Sequence, residues 1–485
     1  MKFENYWATE NSHSSHLWIK IKYCKNWKCM ICGIKAHDEC VTKYKVAPLK
    51  YPCLKSFTEE GNSETNITEL ASEYLKNRKT FKYKNPSKYC CLCKTDKELK
   101  TIELKTETAK GILPPEYLVT SKEENRLQFK TVQTQTPHLL CFISCESGSN
   151  EGVKIMNQLQ TVLNPRQVIK LTPTLPPRHF LQLMKPLNLR IIVAGGDGSI
   201  SWVFSELDEI YKDEPYPPIF HIPLGTGNDF SKALGMEEHW NKVKNTKTLI
   251  RFLNDVIDGE SMVFDRWNVE TTLNGEATTV FTHSQTFNNY FSIGIDAGIA
   301  YRFTEARQKH NKLLAYRFLN KLCYGFNGLK QAISSKPLNN YIKIMKCNGD
   351  DYMTEISSVN TKSLLLLNIN SYAGGVPIWN RKHQNKNREF EDMKIHDGRV
   401  ETMRLKAADV VKVGLMAALP GNCLKAGEGI AQMETFDIKI EPRTITYAQI
   451  DGEPILLAPG SLYEFKVTKH PGQAKIIRLS YKTSF

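Results

Sequence analysis

The sequence predicts an α/β unit followed by an all-β unit, with a small Cys- and His-rich segment ahead of both. Three observations carry that expectation. Apolar runs of strand length alternate with helical periodicity from residue 138 to residue 234. Past about residue 264 the texture changes to short alternating runs. Near the N-terminus, cysteines gather with histidine at the spacing of metal ligands. A chain of 485 residues has room for two or three domains.

Residues 13–53 come first. Cys29-x2-Cys32-x4-His37-x2-Cys40 can clip one zinc ion through the paired thiols and serve another through the His/Cys pair. That clustering, within a total of 13 cysteines, favours a reducing, intracellular setting over a disulfide framework. Cys90-x2-Cys93 has no visible partners and reads as unligated thiols. Residues 54–136 are expected to be a linker, because 55–88 is polar and rich in Lys, Glu, Asn, Ser and Thr.

The α/β unit is placed at 137–262. His138–Ser144 reads as a buried strand, and Val153–Val162 as a helix with Ile155, Leu159 and Val162 on one face. Arg190–Ala194 is a second strand. Ile200, Val203, Phe204, Leu207 and Ile210 then recur at helical spacing. Ile219–Leu224 is a third strand, and Phe230–Leu234 begins the next helix. Strand, loop and helix alternating in this way imply a parallel sheet flanked by helices.

The all-β unit is placed at 263–470. Met262–Val269, Val280–His283, Ser363–Ile369, Val410–Leu415, Thr435–Ile440 and Leu462–Val467 read as strands of a mostly antiparallel domain. One helical insert is expected around Ala300–Leu322, and Trp379–Asp392, charged and Asn-rich, reads as a surface loop.

Lys and Arg number 65 against 51 acids, a net charge of +14. The surplus fits an anionic partner or a generic basic surface. Aromatic and basic residues are not interleaved in the manner of nucleic-acid binders, so no nucleic acid is expected. The basic stretch Lys76–Lys88 fits an anionic lipid surface, at about 1 kcal/mol per charge near the membrane, or equally a solvated linker. The opening residues carry charges and no apolar core, unlike a secretory signal. No apolar run reaches the ~18 residues of a membrane span.

Two glycine-rich loops follow strands and precede helices. In Gly195-Gly196-Asp197-Gly198-Ser199 the glycines let backbone approach a ligand closely, and amides at a helix start favour an anion. Asp197 would then face a Mg²⁺ ion, directly or through water, or bond to nearby groups. Gly225-Thr226-Gly227-Asn228-Asp229 repeats the pattern and adds two polar donors and a carboxylate. The bland alternative in each case is a turn with a capping side chain. Asp451-Gly452-Glu453 is an acid pair in a tight turn between two β-runs, and on the sequence alone a simple hairpin turn is the favoured explanation.

GGDGSISWV at 195–203, followed by PLGTGNDF at 223–230, resembles the catalytic domain of diacylglycerol kinases. GGDG alone is shared with sphingosine, ceramide and NAD kinases; the ordered set is more specific. It runs through CFISCESGSNEGVKIMNQLQTVLNPRQVIKL, FDRW at 264–267, NNYFSIGIDA at 288–297, LNINSYAGG at 367–375, Asp397-Gly398 and QIDGEP at 449–454. The resemblance implies a Rossmann-like α/β nucleotide-binding lobe followed by a β-sandwich accessory lobe. ATP would sit on the first lobe at Gly195, Gly196, Asp197, Gly198, Ser199, Gly225, Thr226, Gly227, Asn228 and Asp229. It also implies Mg²⁺ and transfer of the γ-phosphoryl group to diacylglycerol in a membrane. Asp451 would be the general base, Asp197 a second catalytic carboxylate, and Glu453 a companion near the metal. Asp397 is a candidate Mg²⁺ ligand, although His396 stands where the family has a second acid. Ser144-Cys145-Glu146-Ser147-Gly148 also departs from the family's opening turn.

Trp27-Lys28-Cys29 and the spacing after it resemble the second half of a C1 zinc module. That likeness groups His16, Cys29, Cys32 and Cys53 in one Zn²⁺ site and Cys24, His37 and Cys40 in another. The expected protein is cytoplasmic and peripherally membrane-associated. The competing readings are a sphingosine- or ceramide-type lipid kinase and a catalytically inactive lipid-binding adaptor.

Overall fold

The computed structural model describes residues 109–113, 137–146 and 151–479, less the interior gaps 161, 165–166, 174–175, 213, 226, 282–283, 310–335, 358–359, 380–389 and 419–423. Ahead of these it describes the short strands Trp18–Lys20, Asn26–Cys29, Lys35–His37, Leu118–Thr120 and Leu127–Phe129.

In the first lobe the strands Val168–Lys170, His138–Ile143, Leu189–Gly195 and Ile219–Pro223 lie side by side and parallel. Every residue of His138–Ile143 and Ile219–Pro223 is buried. A parallel sheet covered on both faces needs continuous apolar runs rather than alternation, and the sequence supplies them. The Asp197–Tyr211 helix buries Ile200, Val203, Phe204 and Leu207, the stripe its periodicity predicts, with Ile210 only partly covered. The helix expected over Val153–Val162 is Glu151–Leu159.

The same sheet takes in a strand that sequence reading did not foresee. Lys475–Arg478 pairs parallel to Ile219–Pro223 and antiparallel to Glu260–Val263. The chain therefore leaves this lobe after residue 263 and returns to it after the second lobe is complete. Ala474, Ile476 and Ile477 are buried in the first lobe's core.

The second lobe packs two antiparallel sheets face to face. One centres on Trp267–Leu273, Tyr463–Lys469, Thr435–Ile440 and Ile342–Cys347. The other runs Glu428–Met433, Val400–Leu405, Ser363–Leu367, Tyr290–Gly294, Thr446–Ile450 and Glu453–Leu457. Trp267, Phe436 and Phe465 from the first sheet share a core with Phe291, Leu364 and Ile450 from the second.

Several local expectations are corrected. Met262–Val269 is not one strand: it breaks at Phe264-Asp265-Arg266, with Glu260–Val263 in the first lobe and Trp267–Leu273 in the second. Val410–Leu415 is helical, inside Ala407–Ala418, where Val410, Val413 and Met416 recur at helical spacing against the outer sheet face. Val280 and Phe281 are loop, and the strand lies earlier, at Glu276–Thr278. The helix expected at Ala300–Leu322 is Ile295–Lys309; the remainder falls outside the described residues. Near the N-terminus, Trp18–Lys20, Asn26–Cys29 and Lys35–His37 form a small antiparallel sheet. His16, Cys24, Cys32, Cys40 and Cys53 lie outside the described residues, and Cys29 and His37 are described only as strand positions.

Candidate active site

Both glycine loops leave the C-terminal ends of neighbouring parallel strands, where Gly195 pairs with Pro223 and Leu224 N–H donates to Gly195 O at 2.7 Å. Ligands bind α/β sheets at this edge. The loops stack on each other: a Cβ at Gly225 would stand 2.8 Å from Gly196 Cα and 2.8 Å from Asn228 Oδ1. Glycine is required there because no side chain fits between the loops. Gly196 caps the Asp197–Tyr211 helix.

Asp197 ties the two loops together. Its carboxylate accepts from Asp229 N–H at 3.1 Å and Phe230 N–H at 3.2 Å, the opening amides of the Asp229–Ala233 helix. It is a cap, as the bland reading has it, but for the other loop's helix. Asn228 holds φ at +55° and donates its side-chain amide to Gly225 O at 2.8 Å. Its side chain shapes the loop. Ser199 packs against Gly195, and Thr226 lies outside the described residues.

Asp229 departs from its expected place among nucleotide ligands. Its Oδ1 accepts from Ser371 Oγ–H at 2.6 Å and Gly375 N–H at 2.8 Å, and its Oδ2 accepts from Gly374 N–H at 3.0 Å. Lys232 bridges the same seam, donating to Gly227 O at 2.7 Å and Gly374 O at 2.6 Å. Asp229 and Lys232 clasp the second lobe's 371–375 turn against the second glycine loop.

From the second lobe comes Asp451. It sits in a two-residue hairpin turn, φ +48°, with Gly452 at φ +86°. The hairpin alternative is thus realised, and the turn also aims the carboxylate at the cleft. Oδ2 accepts from Asn288 N–H at 2.8 Å; Oδ1 accepts from Asn289 N–H at 2.8 Å and Tyr290 N–H at 2.9 Å. A pocket of about 350 Å³ separates the lobes here. Gly198, Ser201, Trp202 and Ser205 of the first lobe's helix form one wall, and Thr286, Ile450, Asp451 and Glu453 form the other.

Proton affinities report the same crowding. Removal from water pushes Asp451 up to about 7, and the charge of Asp197 adds to that, against the three backbone N–H bonds. Asp197 is also raised by desolvation, opposed by Phe230 and Asp229 N–H, the Asn289 side chain and Lys232. Desolvation and the Asp197 charge raise Asp229. A concentration of negative charge at a pocket with amide-rich loops suits a divalent cation carried by phosphates. Among the described residues no group of three or more His, Cys, Asp or Glu is arranged to hold a metal.

Asp397 belongs to another group. Its Oδ1 accepts from Arg399 N–H at 3.1 Å, and its charge helps raise Glu401 to about 8, after desolvation. Among the described residues no hydrogen bond joins it to Asp197, Asp229 or Asp451. The sequence reading assigned no role to Asn288, Asn289, Tyr290, Ser371, Gly374, Lys232 or His221. His221, fully buried in the middle of the Ile219–Pro223 strand, approaches Gly195 O at 3.1 Å and is lowered to about 4 by burial, so it is neutral. Asn288, Asn289, Tyr290, Ser371 and Gly374 fall in the motif segments 288–297 and 367–375, but their roles come only from contacts between distant segments; Lys232 and His221 carry no such mark.

Fold and cleft define a two-lobed protein: an α/β half ending in paired glycine loops, and a β half that lays a carboxylate opposite them. Residues 138–259 match the family model described as the diacylglycerol kinase catalytic domain, and residues 286–454 match the diacylglycerol kinase accessory domain. The chain carries both paired domains of the diacylglycerol kinase family. It is 33% identical over 331 residues to eye-specific diacylglycerol kinase of Drosophila melanogaster, covering 66% of this chain and 21% of that one. Against human diacylglycerol kinase zeta the identity is 25% over 531 residues, 94% of this chain and 55% of the relative. With probable diacylglycerol kinase 3 of Caenorhabditis elegans it is 32%, over 70% of this chain and 43% of the relative. The chain thus spans between about a fifth and about half of these curated relatives. A solved structure titled a putative diacylglycerol kinase from Bacillus anthracis str. Sterne overlaps 71% of this chain and 98% of its own, at 16% identity and a TM-score of 0.45.

Proposed function

We propose that this chain is an ATP-dependent diacylglycerol kinase that transfers the γ-phosphoryl group to the free hydroxyl of diacylglycerol, giving phosphatidic acid. The observation that carries the reading is Asp451, held by three backbone N–H groups in a pocket whose opposite wall is the helix that starts at Asp197. The stacked glycine loops receive the triphosphate with their amides, and the start of the Asp197–Tyr211 helix faces negative charge. Asp197 would hold the nucleotide's Mg²⁺, directly or through water, and that ion when bound would supply charge neutralisation on the transferred group. The acceptor hydroxyl enters between Trp202 and Ile450. Oδ2 of Asp451, with one N–H bond against two on Oδ1, has the spare lone pair and takes the hydroxyl proton as the new O–P bond forms, while the bond from the γ-phosphorus to the β,γ-bridging oxygen breaks and ADP leaves. A base so placed contributes about 10²–10⁴-fold. Glu453 lies two residues on in the same wall and would be the companion of Asp451 near the metal.

The same reading makes 137–262 the catalytic domain, 263–470 the accessory domain, 13–53 a partial C1-like zinc module and 54–136 a linker. It also makes the enzyme cytoplasmic and peripheral, since its acceptor stays in the bilayer. No helix among the described residues is long and apolar enough to cross a membrane. Diacylglycerol, sphingosine and ceramide, each in mixed micelles with Mg-ATP, form the test. Phosphatidic acid from diacylglycerol is expected; phosphorylation of sphingosine or ceramide alone, or of no lipid, rejects the proposal. Zinc content of the purified chain, by elemental analysis, tests the N-terminal module.

A further inference from the structure

One face of the Asp197–Tyr211 helix is gripped at three levels. Asp197, Ser201 and Asp208 lie four and seven residues apart, which places them within about 40° of one another around the helix axis. Each meets a residue from outside the helix. The Asn289 side chain faces Asp197 and favours its charged form. Asn288 Nδ2 donates to Ser201 Oγ at 2.8 Å. Arg266, in the crossover between lobes, donates from Nη1 to Asp208 Oδ1 at 2.5 Å.

Arg266 is also bound to the second lobe. Its Nε donates to Asn288 Oδ1 at 2.8 Å, and its guanidinium lies 4.7 Å from the centre of the Phe204 ring. It is 1% exposed, so its charge is spent inside the protein. Asn288 is held on its other side by Asn368, whose Nδ2 donates to Asn288 O at 2.7 Å. The residue whose side chain Arg266 and Ser201 fix is the one whose backbone N–H holds Asp451 Oδ2.

We infer that Arg266 and Asn288 are positioning residues: they set the spacing between the Asp451 carboxylate on one lobe and the helix start at Asp197 on the other. The physical reason lies in the partners. Asp451 sits in a hairpin turn and depends on the 288–290 backbone for its direction. That backbone is registered against the helix through Asn288, and Asn288 through a planar guanidinium that also grips Asp208. Lysine cannot reproduce the fork, because it lacks the planar donor pair. The Arg266 side chain does not touch the Asp451 carboxylate, and Asn288 reaches it only through its backbone N–H, which the substitutions leave in place.

The inference rests on the kinase reading, so its test has one arm independent of activity. Amide hydrogen exchange is measured on wild type, Asn288→Ala and Arg266→Lys. Exchange over 286–291 is expected to rise about ten-fold or more in Asn288→Ala and less in Arg266→Lys, while Leu189–Gly195 and Ser363–Leu367 keep their protection. In the kinetic arm, kcat should fall roughly 10- to 100-fold in Asn288→Ala, with KM for ATP within about three-fold of wild type. Arg266→Lys should fall between the two. Unchanged exchange over 286–291, or faster exchange everywhere alike, overturns the inference, as does full kcat in Asn288→Ala. A wild-type chain inactive on every lipid alcohol would instead reject the kinase reading, and the exchange data would still decide the coupling. Asn288→Ala, a truncation that keeps the backbone donor, carries the test if the Arg266 variant does not fold.

Discussion

Asp451→Asn separates catalysis from folding. Asparagine tolerates the left-handed φ of +48° and suits a two-residue hairpin before glycine. Its Oδ1 can keep the bonds from Asn289 and Tyr290 N–H. Its Nδ2, replacing Oδ2, then faces the Asn288 N–H as donor against donor, a loss of about 1–3 kcal/mol. Against this stands the cost of the native charge. Desolvation lifts Asp451 from 3.8 to about 7. The folded state therefore holds the proton more tightly than the unfolded chain. Stability from this group is full below the unfolded value and is lost as pH rises through about 7, a difference of about 4 kcal/mol. At pH 8 the substitution removes that penalty and offsets the lost hydrogen bond, so thermal stability should match or exceed wild type. At pH 5, which is above the unfolded value of 3.8, about 1.6 kcal/mol of that penalty is already present, comparable to the lost bond, so the variant should gain less relative to wild type than at pH 8. Loss of the base should lower kcat about 10²–10⁴-fold, or roughly 3–5 kcal/mol of barrier. Initial rates with diacylglycerol micelles and Mg-ATP, beside thermal unfolding at pH 5 and pH 8, make the check. A kcat within five-fold of wild type would refute the assignment of Asp451 as base, and a variant unfolded at both pH values would refute the energetic reasoning.

Other outcomes follow from the same geometry. The wild-type kcat should rise with pH through about 7 and level off above it, because Asp451 must be unprotonated to accept the hydroxyl proton; the pH–rate profile of Asp451→Asn should lack that limb. Gly225→Ala should raise KM for ATP at least ten-fold and cost about 1–3 kcal/mol in urea unfolding, since its Cβ would stand 2.8 Å from Gly196 Cα. Asp229→Ala leaves the amides of Gly374 and Gly375 and the Ser371 hydroxyl without their carboxylate, and urea titration should show about 1–3 kcal/mol lost. Ile477→Ala should destabilise by about 2–5 kcal/mol in the same assay, although the residue lies beyond the second lobe, because it is buried in the first lobe's core.

The local periodicities were informative where one segment's own pattern meets one burial environment. His138–Ile143, Leu189–Gly195 and Ile219–Pro223 are near-continuous apolar runs, broken only by His138, Arg190 and His221, because a covered parallel sheet buries both faces of each strand. The Asp197–Tyr211 helix follows from its apolar stripe. Val410–Leu415 misled because Val-Val-Lys-Val alternates like a strand over a short window, while the wider spacing of Val410, Val413 and Met416 is helical. The break at Phe264-Asp265-Arg266 inside an apparent strand had no local mark, because it is set by two sheets pulling the chain apart.

By itself, then, the sequence determined the glycine loops, the alternation that places them at strand ends, and the carboxylate in a turn at residue 451. Only the tertiary structure decided that Asp197 caps the other loop's helix, that Asp229 closes the seam between lobes, and that the backbone of 288–290 aims Asp451. It also returned Lys475–Arg478 to the first sheet. The reason is one of range. Periodicity records which face of a segment is dry. A hydrogen bond between residues 32 to 162 positions apart leaves no period in the chain, and appears only when both ends are folded into the same cleft.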